Sequence, residues 1–386
     1  MSNALSPDPG LTAGGAAVTV TPERFSAGII EPADFIADTE AFLDVRIARS
    51  KGKASYSMIG PGVSQNADQS VNLTEAHGFN IGAASMPHGV VNNPHMHYTA
   101  EVFVCTRGEW EFAVGEHGEQ RLDIGPNTVF SVPTWVFRGF TNTGPDDGWL
   151  FTALGGDDTG GILWAPHVLA EAAETGLYLR PDYSVFEPGD VPPADSVVSP
   201  LSADVLAGID SYTDAELEQC VVRPDDRRWS ADALLSTVLD GHDVEVAPVI
   251  GHGLSQDRSQ RPPITSPHGF SVDWIRAHPG AGTGLHRIDQ PQVLILGEGS
   301  WSVAVNTGAE ALIAEPEAGS VISVPAGAWR TFRSAGDGPA DAVVVTGGEA
   351  ATEITWSDEI LRAARSAGWG VDAGGYRAPI ELLARP

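Results

Sequence analysis

Short runs of alternating apolar and polar residues, separated by glycine and proline, dominate two stretches of the chain. EVFVCTRGEWEFAVG and WLFTALGG in the first stretch have counterparts in the second, QVLILGEGSWSVAVN and DAVVVTGG. Such alternation is typical of antiparallel strands with one buried face. Each stretch closes with a run of helical character, WAPHVLAEAAETGL or WSDEILRAARSAGW. The pattern predicts a mainly β chain in which a small antiparallel barrel with a trailing helix occurs twice.

An internal repeat of nearly constant spacing relates the two stretches. IGPGVSQ at 59–65 returns as IGHGLSQ at 250–256, and HGF at 77–79 returns at 268–270, both with an offset of 191. Further residues return with an offset of 192, among them Arg138 as Arg330 and Trp164 as Trp356. An ordered series of this kind indicates a duplication.

The duplication predicts five segments. They are an N-terminal arm at 1–58, a first barrel at 59–176, a linker at 177–249, a second barrel at 250–368 and a tail at 369–386. The arm contains a predicted helix, ADFIADTEAFL. The linker contains a capping box that starts at Thr213 and a second predicted helix, SADALLSTVL.

Composition and charge narrow the class of protein. The formal net charge is −29, and Lys51 and Lys53 are the only lysines. Such a chain repels phosphate backbones and anionic lipid, which argues against nucleic-acid or membrane-surface partners. No apolar run reaches the length of a membrane span, the first residues lack the pattern of a secretory signal, and two cysteines make no disulfide framework. We therefore expect a cytoplasmic protein.

Two histidines and a glutamate share one side of a predicted strand. His95, His97 and Glu101 have equal parity in NNPHMHYTAEVF, and strand residues of equal parity point to one face. Two neutral imidazoles and a carboxylate suit Fe(II), Mn(II), Ni(II) or Zn(II), with coordination positions left open. Burying the three groups without a metal would be costly. The sequence predicts one divalent metal ion per chain in the first barrel; a surface strand with solvated histidines is the alternative.

The same stretch resembles the first signature motif of the cupin superfamily, with every fixed position present: Gly89, His95, His97, Glu101 and Gly108. A degenerate second motif follows at 125–142, where Arg138 replaces the usual metal-binding histidine. The resemblance covers both repeats and implies a bicupin, with two tandem double-stranded β-helix (jelly-roll) barrels. It also implies association into a homo-oligomer. Because arginine does not ligate metals, the expected site is a His-His-Glu set completed by water or substrate.

The second repeat provides an internal control. It keeps the spacing of the first motif but only one of the three ligands, since its motif residues are Gly280, His286, Ile288, Gln292 and Gly299. We expect the second barrel to be metal-free and mainly structural, closing the first site or forming a dimer interface. A residue that is kept in both copies must have a role other than metal binding, because only the first copy has the ligand set. His77 and Gln65, which return as His268 and Gln256, are therefore predicted to be architectural.

Four residues near the motif are candidates for substrate binding. The motif position of Arg138 places it near the metal, where it could form a salt bridge or bind a substrate carboxylate. Trp135 corresponds to Gly327, so it is particular to the first copy and is expected to wall the pocket. Phe103 and Tyr98 flank the ligands and either line the pocket or pack. No catalytic residue is predicted beyond the metal ligands.

The ligand set favours an enzyme with a small-molecule substrate. Open coordination positions suit a non-haem Fe(II)-type dioxygenase, which would bind oxygen and a chelating substrate. The resemblance to bicupins implies that this substrate is a small aromatic or enolisable, possibly acidic, molecule. Iron is the metal expected first. Two alternatives stay open. One is a non-oxidative cupin enzyme, such as an isomerase, lyase or decarboxylase. The other is a small-molecule-binding cupin without turnover.

Overall fold

The computed structural model describes residues 15–186, 189 and 192–383. The start of the predicted arm and the last three residues of the tail lie outside this range. The α-helices and strands of the first half are α1 (Pro22–Ala27), β1 (Ile29–Ile30), β2 (Ala54–Ile59), β3 (Val71–Leu73), β4 (Phe79–Met86), β5 (Val91–His97), β6 (Glu101–Arg107), β7 (Trp110–Val114), β8 (Gln120–Ile124), β9 (Thr128–Val132), β10 (Arg138–Asn142), β11 (Gly148–Gly155), β12 (Ile162–Trp164) and α2 (Pro166–Glu174).

The second half repeats this order. Its elements are α3 (Ala203–Leu206), α4 (Asp214–Glu218), β13 (Val221–Val222), β14 (Val244–Ile250), β15 (Phe270–Ala277), β16 (His286–Arg287), β17 (Gln292–Leu296), β18 (Trp301–Val305), β19 (Leu312–Ala314), β20 (Val321–Val324), β21 (Arg330–Ser334), β22 (Ala340–Gly347), β23 (Thr355–Trp356), α5 (Asp358–Ser366), β24 (Trp369–Val371) and β25 (Arg377–Pro379). Among the described residues, no helix has the length and apolar character needed to cross a membrane.

Each barrel consists of two sheets. In the first barrel the strand orders are β13-β9-β6-β11-β4-β2-β3 and β12-β5-β10-β7-β8; in the second they are β1-β20-β17-β22-β15-β14 and β19-β18-β21-β16-β23. Alternation along β7 shows why these runs form strands, because Trp110, Phe112 and Val114 are buried and the residues between them are partly exposed. Helices α2 and α5 follow the last barrel strand of each copy. The predicted mainly β fold of two duplicated barrels with trailing helices is confirmed.

Two predicted helices are wrong, and the capping box is confirmed. ADFIADTEAFL and SADALLSTVL form only single 3₁₀ turns, at Pro32–Asp34, Leu43–Arg46 and Leu235–Val238. The backbone of Asp38 instead pairs with Ser55, and that of Ser230 pairs with Val246. Pairing with a neighbouring strand uses the N–H and C=O groups that a helix would need. At the capping box, Thr213 and Glu216 each accept from the other's backbone N–H.

The segments before the barrels are exchanged. Strand β1, at the start of the chain, pairs with β20 of the second barrel, and β13 pairs with β9 of the first barrel. The two pairings are equivalent under the offset of 192, since Ile29 faces Ile322 and Val221 faces Phe130. Helices α1 and α4, which precede these strands, also correspond, and both have a threonine N-cap. The duplication therefore includes residues ahead of each barrel.

The large sheets of the two barrels pack face to face. Phe79 and its counterpart Phe270 meet with ring centroids 5.8 Å apart, within an apolar cluster drawn from both barrels. At the edges of this cluster, His77 Nε2 lies 2.7 Å from Ser323 Oγ, and His268 Nε2 lies 2.7 Å from Ser131 Oγ. These reciprocal hydrogen bonds confirm that His77 and His268 are architectural.

Candidate metal centre

Strands β5 and β6 bring the three predicted ligands together. His95 and His97 lie on β5 with their side chains on one face, and Glu101 is the first residue of β6 after a three-residue connection. One ligand-type atom from each residue lies within 4.8 Å of the other two, and all three side chains are buried. Strand alternation across a short turn therefore produces a compact set of two imidazoles and a carboxylate inside the first barrel.

Backbone carbonyls fix the orientation of both imidazoles. His95 Nδ1 lies 2.7 Å from the carbonyl oxygen of Asn93, and His97 Nδ1 lies 3.3 Å from that of Gly161. A carbonyl oxygen only accepts, so each Nδ1 carries the proton and each Nε2 presents a lone pair. His97 Nε2 is 3.4 Å from Glu101 Oε2, yet it has no hydrogen-bond partner among the described residues. An unpartnered buried nitrogen of this kind is costly unless something binds it.

The electrostatics keep the three side chains in the protonation states that bind metals. Burial lowers the pKa of His95 well below its usual value, and His97 and Arg138 lower it further. Burial also lowers the pKa of His97, with Arg138 acting in the same direction. For Glu101, burial alone would raise the pKa, but its interactions with His97 and with the Arg138 guanidinium hold it at about 2. Two neutral imidazoles and a carboxylate anion therefore face one another at neutral pH.

Arg138 forms a salt bridge with the glutamate. Its Nε and Nη2 donate to Glu101 Oε2 at 3.0 and 2.9 Å, and its Nη1 donates to the carbonyl of Val136 at 3.0 Å. The side chain is fully buried and is not among the residues that line the cavity. Of the two roles open to Arg138 from the sequence, the geometry matches the salt bridge. Both bonds go to one carboxylate oxygen, which leaves Oε1 available to a ligand.

This arrangement fits a divalent metal ion. Two Nε2 lone pairs and one carboxylate oxygen are the donor types of a facial His-His-carboxylate site. Hydrogen bonds from the opposite ring nitrogens to backbone carbonyls orient the imidazoles, as is usual for metal-binding histidines. His95, His97 and Glu101 would hold the ion.

A cavity of about 70 Å³ adjoins the three residues. Its apolar wall includes Phe140 and Phe103, and lining the pocket was one of the two roles that the sequence left open for Phe103. Trp135 and Tyr98 do not line it. Trp135 has a left-handed backbone (φ 62°) and a side chain that is 47% exposed. Its ring packs against Tyr98 at 4.9 Å, and the Tyr98 hydroxyl bonds to that of Tyr183, so these aromatic rings form a separate cluster.

Sequence reasoning missed a polar group in the same cavity. Lys53, just before β2, lines it with 5% of its surface exposed. Its ammonium forms a salt bridge with the fully buried Asp44 and donates to Asn92 Oδ1 at 2.7 Å. Asp44 Oδ2 accepts from Asn93 Nδ2 at 2.7 Å, and the Asn93 carbonyl is the one that holds His95. The available signal was that the only two lysines of the chain, Lys51 and Lys53, both lie in this segment.

The second barrel lacks the set. His286 keeps the orientation of His95, because its Nδ1 lies 2.8 Å from the Gly284 carbonyl. The other two positions hold Ile288 and Gln292, both fully buried. Arg330 donates to backbone carbonyls and approaches Gln292 Oε1 at 3.4 Å, and it forms no salt bridge among the described residues. One imidazole beside an amide and an aliphatic side chain is a poor metal site.

Gln65 and Gln256 have matching architectural roles. Gln65 Oε1 accepts from the backbone of Leu43 and from the Trp164 indole, and Gln256 Oε1 accepts from the equivalent groups of the second copy. A further group of ligand-type side chains, Glu116, His117 and His167, lies at the surface of the first barrel. It is outside the cavity and serves below as a control.

Comparison with known proteins identifies the fold. No protein-family model and no curated protein matches the chain. The oxalate decarboxylase of Lactobacillus farciminis, solved as a formate complex, is similar at 13% identity with a TM-score of 0.56, over 91% of this chain and 92% of that one. The oxalate decarboxylase of Bacillus subtilis, a protein with Mn(II) centres, is similar at 14% identity with a TM-score of 0.52, over 92% and 83%. At these identities the likeness is one of fold, and both barrels share it.

Proposed function

We propose that this bicupin is a metal-dependent enzyme that acts on a small carboxylic acid in its first barrel, by a non-oxidative reaction such as decarboxylation. The observation that carries the proposal is the buried His95–His97–Glu101 set, with its unpartnered His97 Nε2. A storage role gives no reason for one barrel to keep the whole set while the other has replaced two members.

The charges around the site favour an acidic substrate. When bound, a divalent ion would act as a Lewis acid and stabilise the negative charge that a departing carbon dioxide leaves on a substrate. Arg138 compensates the charge of Glu101 through their salt bridge. With a divalent ion present, the ion, the Glu101 carboxylate and the Arg138 guanidinium would together carry a net charge of about +2, which attracts an anion strongly in a buried cavity. The Phe103 and Phe140 rings exclude water from one side.

The non-oxidative reaction takes precedence over the dioxygenase expected from the sequence. The ligand types suit both, so they do not separate the two reactions. The net positive charge of the metal-loaded site favours an acidic substrate, and this supports decarboxylase or lyase chemistry. The solved structures of the same fold point the same way, since they are oxalate decarboxylases and one has Mn(II) centres. We accordingly propose manganese or iron as the metal.

The test combines metal content with turnover. The chain, its His97→Ala variant and two controls, His286→Ala and His117→Ala, are loaded with Mn(II) or Fe(II), desalted and analysed by mass spectrometry. The proposal expects one tightly held ion per chain that only His97→Ala loses. It also expects carbon dioxide release from a panel of small acids without net oxygen consumption. Failure to bind either metal overturns the proposal. Stoichiometric oxygen consumption with an aromatic or enolic substrate would establish the dioxygenase instead.

A further inference from the structure

We propose that Lys53 is the anion-binding residue of the first-barrel cavity, and that it contacts a second oxyanion group of the substrate. The preferred substrate class is then a small acid with two such groups, a dicarboxylate or a 2-oxo or 2-hydroxy acid. This inference rests on the proposed function, because it places the first carboxylate at the metal ligands.

The hydrogen bonds of Lys53 leave one donor free. An ammonium group has three N–H donors. Asp44 and Asn92 Oδ1 accept two of them. No described side chain other than these two accepts from the Lys53 ammonium, and the residue lines the cavity that also contains His95, His97 and Glu101. The Phe42 and Trp164 rings, which also line the cavity, have their centroids 4.9 and 5.9 Å from the ammonium and offer it no oxygen, so the third donor is available to a ligand oxygen.

The fold does not need this charged pair. The register of β2 with β4 matches that of β14 with β15, and it places Val244 at the position of Lys53. The 3₁₀ turn at Leu235–Val238 places Ser236 at the position of Asp44. Both are buried in the second barrel. Apolar or neutral residues can replace a buried ion pair at little cost in stability, so its presence in the metal-bearing copy alone points to the ligand.

The cavity sets the size of that ligand. A cavity that holds one water molecule has roughly 10–15 Å³ on the same measure, so 70 Å³ admits a few groups of that size. Lys53 and Asp44 together are neutral, so Lys53 adds a directed hydrogen bond rather than net charge. A hydrogen bond from an ammonium to a carboxylate is about twice as strong as one between neutral groups. It would therefore distinguish acids that reach Lys53 from those that do not.

The experiment compares two anions on metal-loaded protein. Oxalate, which has a second oxyanion group, and acetate, which has none, are titrated by calorimetry into the Mn(II)-loaded chain, with metal content measured on the same samples. The variants are Lys53→Met and the double change Asp44→Ser with Lys53→Val, which installs the residues of the second copy and keeps the site neutral if the single change misfolds. Lys51→Met, an exposed lysine two residues away, is the matched control.

We expect both Lys53 variants to keep their metal and their acetate affinity, and to lose about tenfold or more in oxalate affinity. Lys51→Met should match the parent chain. Unchanged oxalate affinity with metal retained overturns the role of Lys53 and leaves the proposed function in place. Absence of oxalate binding to the metal-loaded parent chain also overturns it. Absence of metal from the parent chain overturns the proposed function as well, so the two failures are distinguishable.

Discussion

The two barrels have one architecture and two different interiors. Both keep the same glutamine and tryptophan in corresponding contacts, both keep one histidine held by a backbone carbonyl, and both keep a buried arginine. They differ at two corresponding positions, where the first barrel has His97 and Glu101 and the second barrel has Ile288 and Gln292. Since the second barrel folds around the replacements, the fold does not require the polar set. What the first barrel retains beyond the second is therefore best explained by a ligand.

The arginine shows the difference most clearly. Arg138 and Arg330 are equally buried, but only Arg138 has a carboxylate partner. In the second barrel the guanidinium is satisfied by backbone carbonyls, with burial lowering its pKa to about 9. The arginine is common to both copies, whereas the glutamate is particular to one. Each of the following experiments changes residues at corresponding positions and measures how the two barrels differ in response.

The largest effect is expected when the first barrel receives the residues of the second. The double change His97→Ile with Glu101→Gln removes two ligands, so metal affinity should fall by more than about a hundredfold. The unfolding free energy of the metal-free protein should fall, because the change leaves the buried Arg138 guanidinium without its carboxylate partner. Mass spectrometry for metal and urea unfolding measure the two effects.

The converse change serves as its control. Ile288→His with Gln292→Glu would give the second barrel all three ligand types beside Arg330, and metal content should rise from one to two ions per chain. If the first double variant kept its metal, the assigned site would be wrong.

The next largest difference between the barrels should appear when the buried arginine of each is replaced. Arg138→Met leaves Glu101 buried without its cation, and breaking such a pair costs about 3–5 kcal/mol. Excess Mn(II) should restore most of the lost stability, as measured by thermal unfolding, because the ion compensates the charge of the same carboxylate. Arg330→Met is the matched variant; Arg330 has no carboxylate partner among the described residues, so Mn(II) should stabilise this variant no more than it stabilises the parent chain. Equal rescue of both variants would contradict the comparison.

A buried carboxylate makes the second barrel sensitive to pH. Asp273, which corresponds to Gly82 of the first barrel, has a pKa that burial raises to about 7. The folded state holds this proton longer than the unfolded state, whose usual value is 3.8. Its contribution to stability is therefore full below about pH 4 and is lost as the pH rises towards 7, by up to about 4 kcal/mol.

Asp273→Asn should remove that loss. The variant should be more stable than the parent chain at pH 8, with the difference shrinking towards pH 4, as measured by urea unfolding at several pH values. A difference that does not change with pH would show that Asp273 titrates normally.

The smallest effect is expected at the hydrogen bonds that are equivalent in the two barrels. Ser323→Ala and Ser131→Ala each remove one of the reciprocal hydrogen bonds to His77 and His268. Each should cost about 1 kcal/mol in unfolding free energy. The two values should agree because the environments correspond. Clearly different losses of unfolding free energy would show that the two hydrogen bonds are not energetically equivalent, although their geometry is.

Sequence patterns predicted the features that depend on local periodicity. Strand parity was enough to bring His95 and His97 together with Glu101, and the constant offset was enough to predict two barrels. Trp135 was placed wrongly because it lies in a turn between β9 and β10, with a left-handed backbone, where strand periodicity gives no side-chain direction. Lys53 was missed because it reaches the cavity from a segment without periodicity, whose path depends on contacts with Asp44. The exchanged strands β1 and β13 have two residues each, too few to produce a pattern.

Those exchanged strands also bear on the history of the molecule. Two separate barrels that trade an equivalent strand form an arm-exchanged dimer, with each partner completing the other. Here the same trade occurs within one polypeptide, and reciprocal histidine–serine contacts and a shared apolar interface accompany it. The chain has the form of such a dimer joined end to end. Once the two are joined, neither half could be lost without removing an edge strand from the sheet of the other.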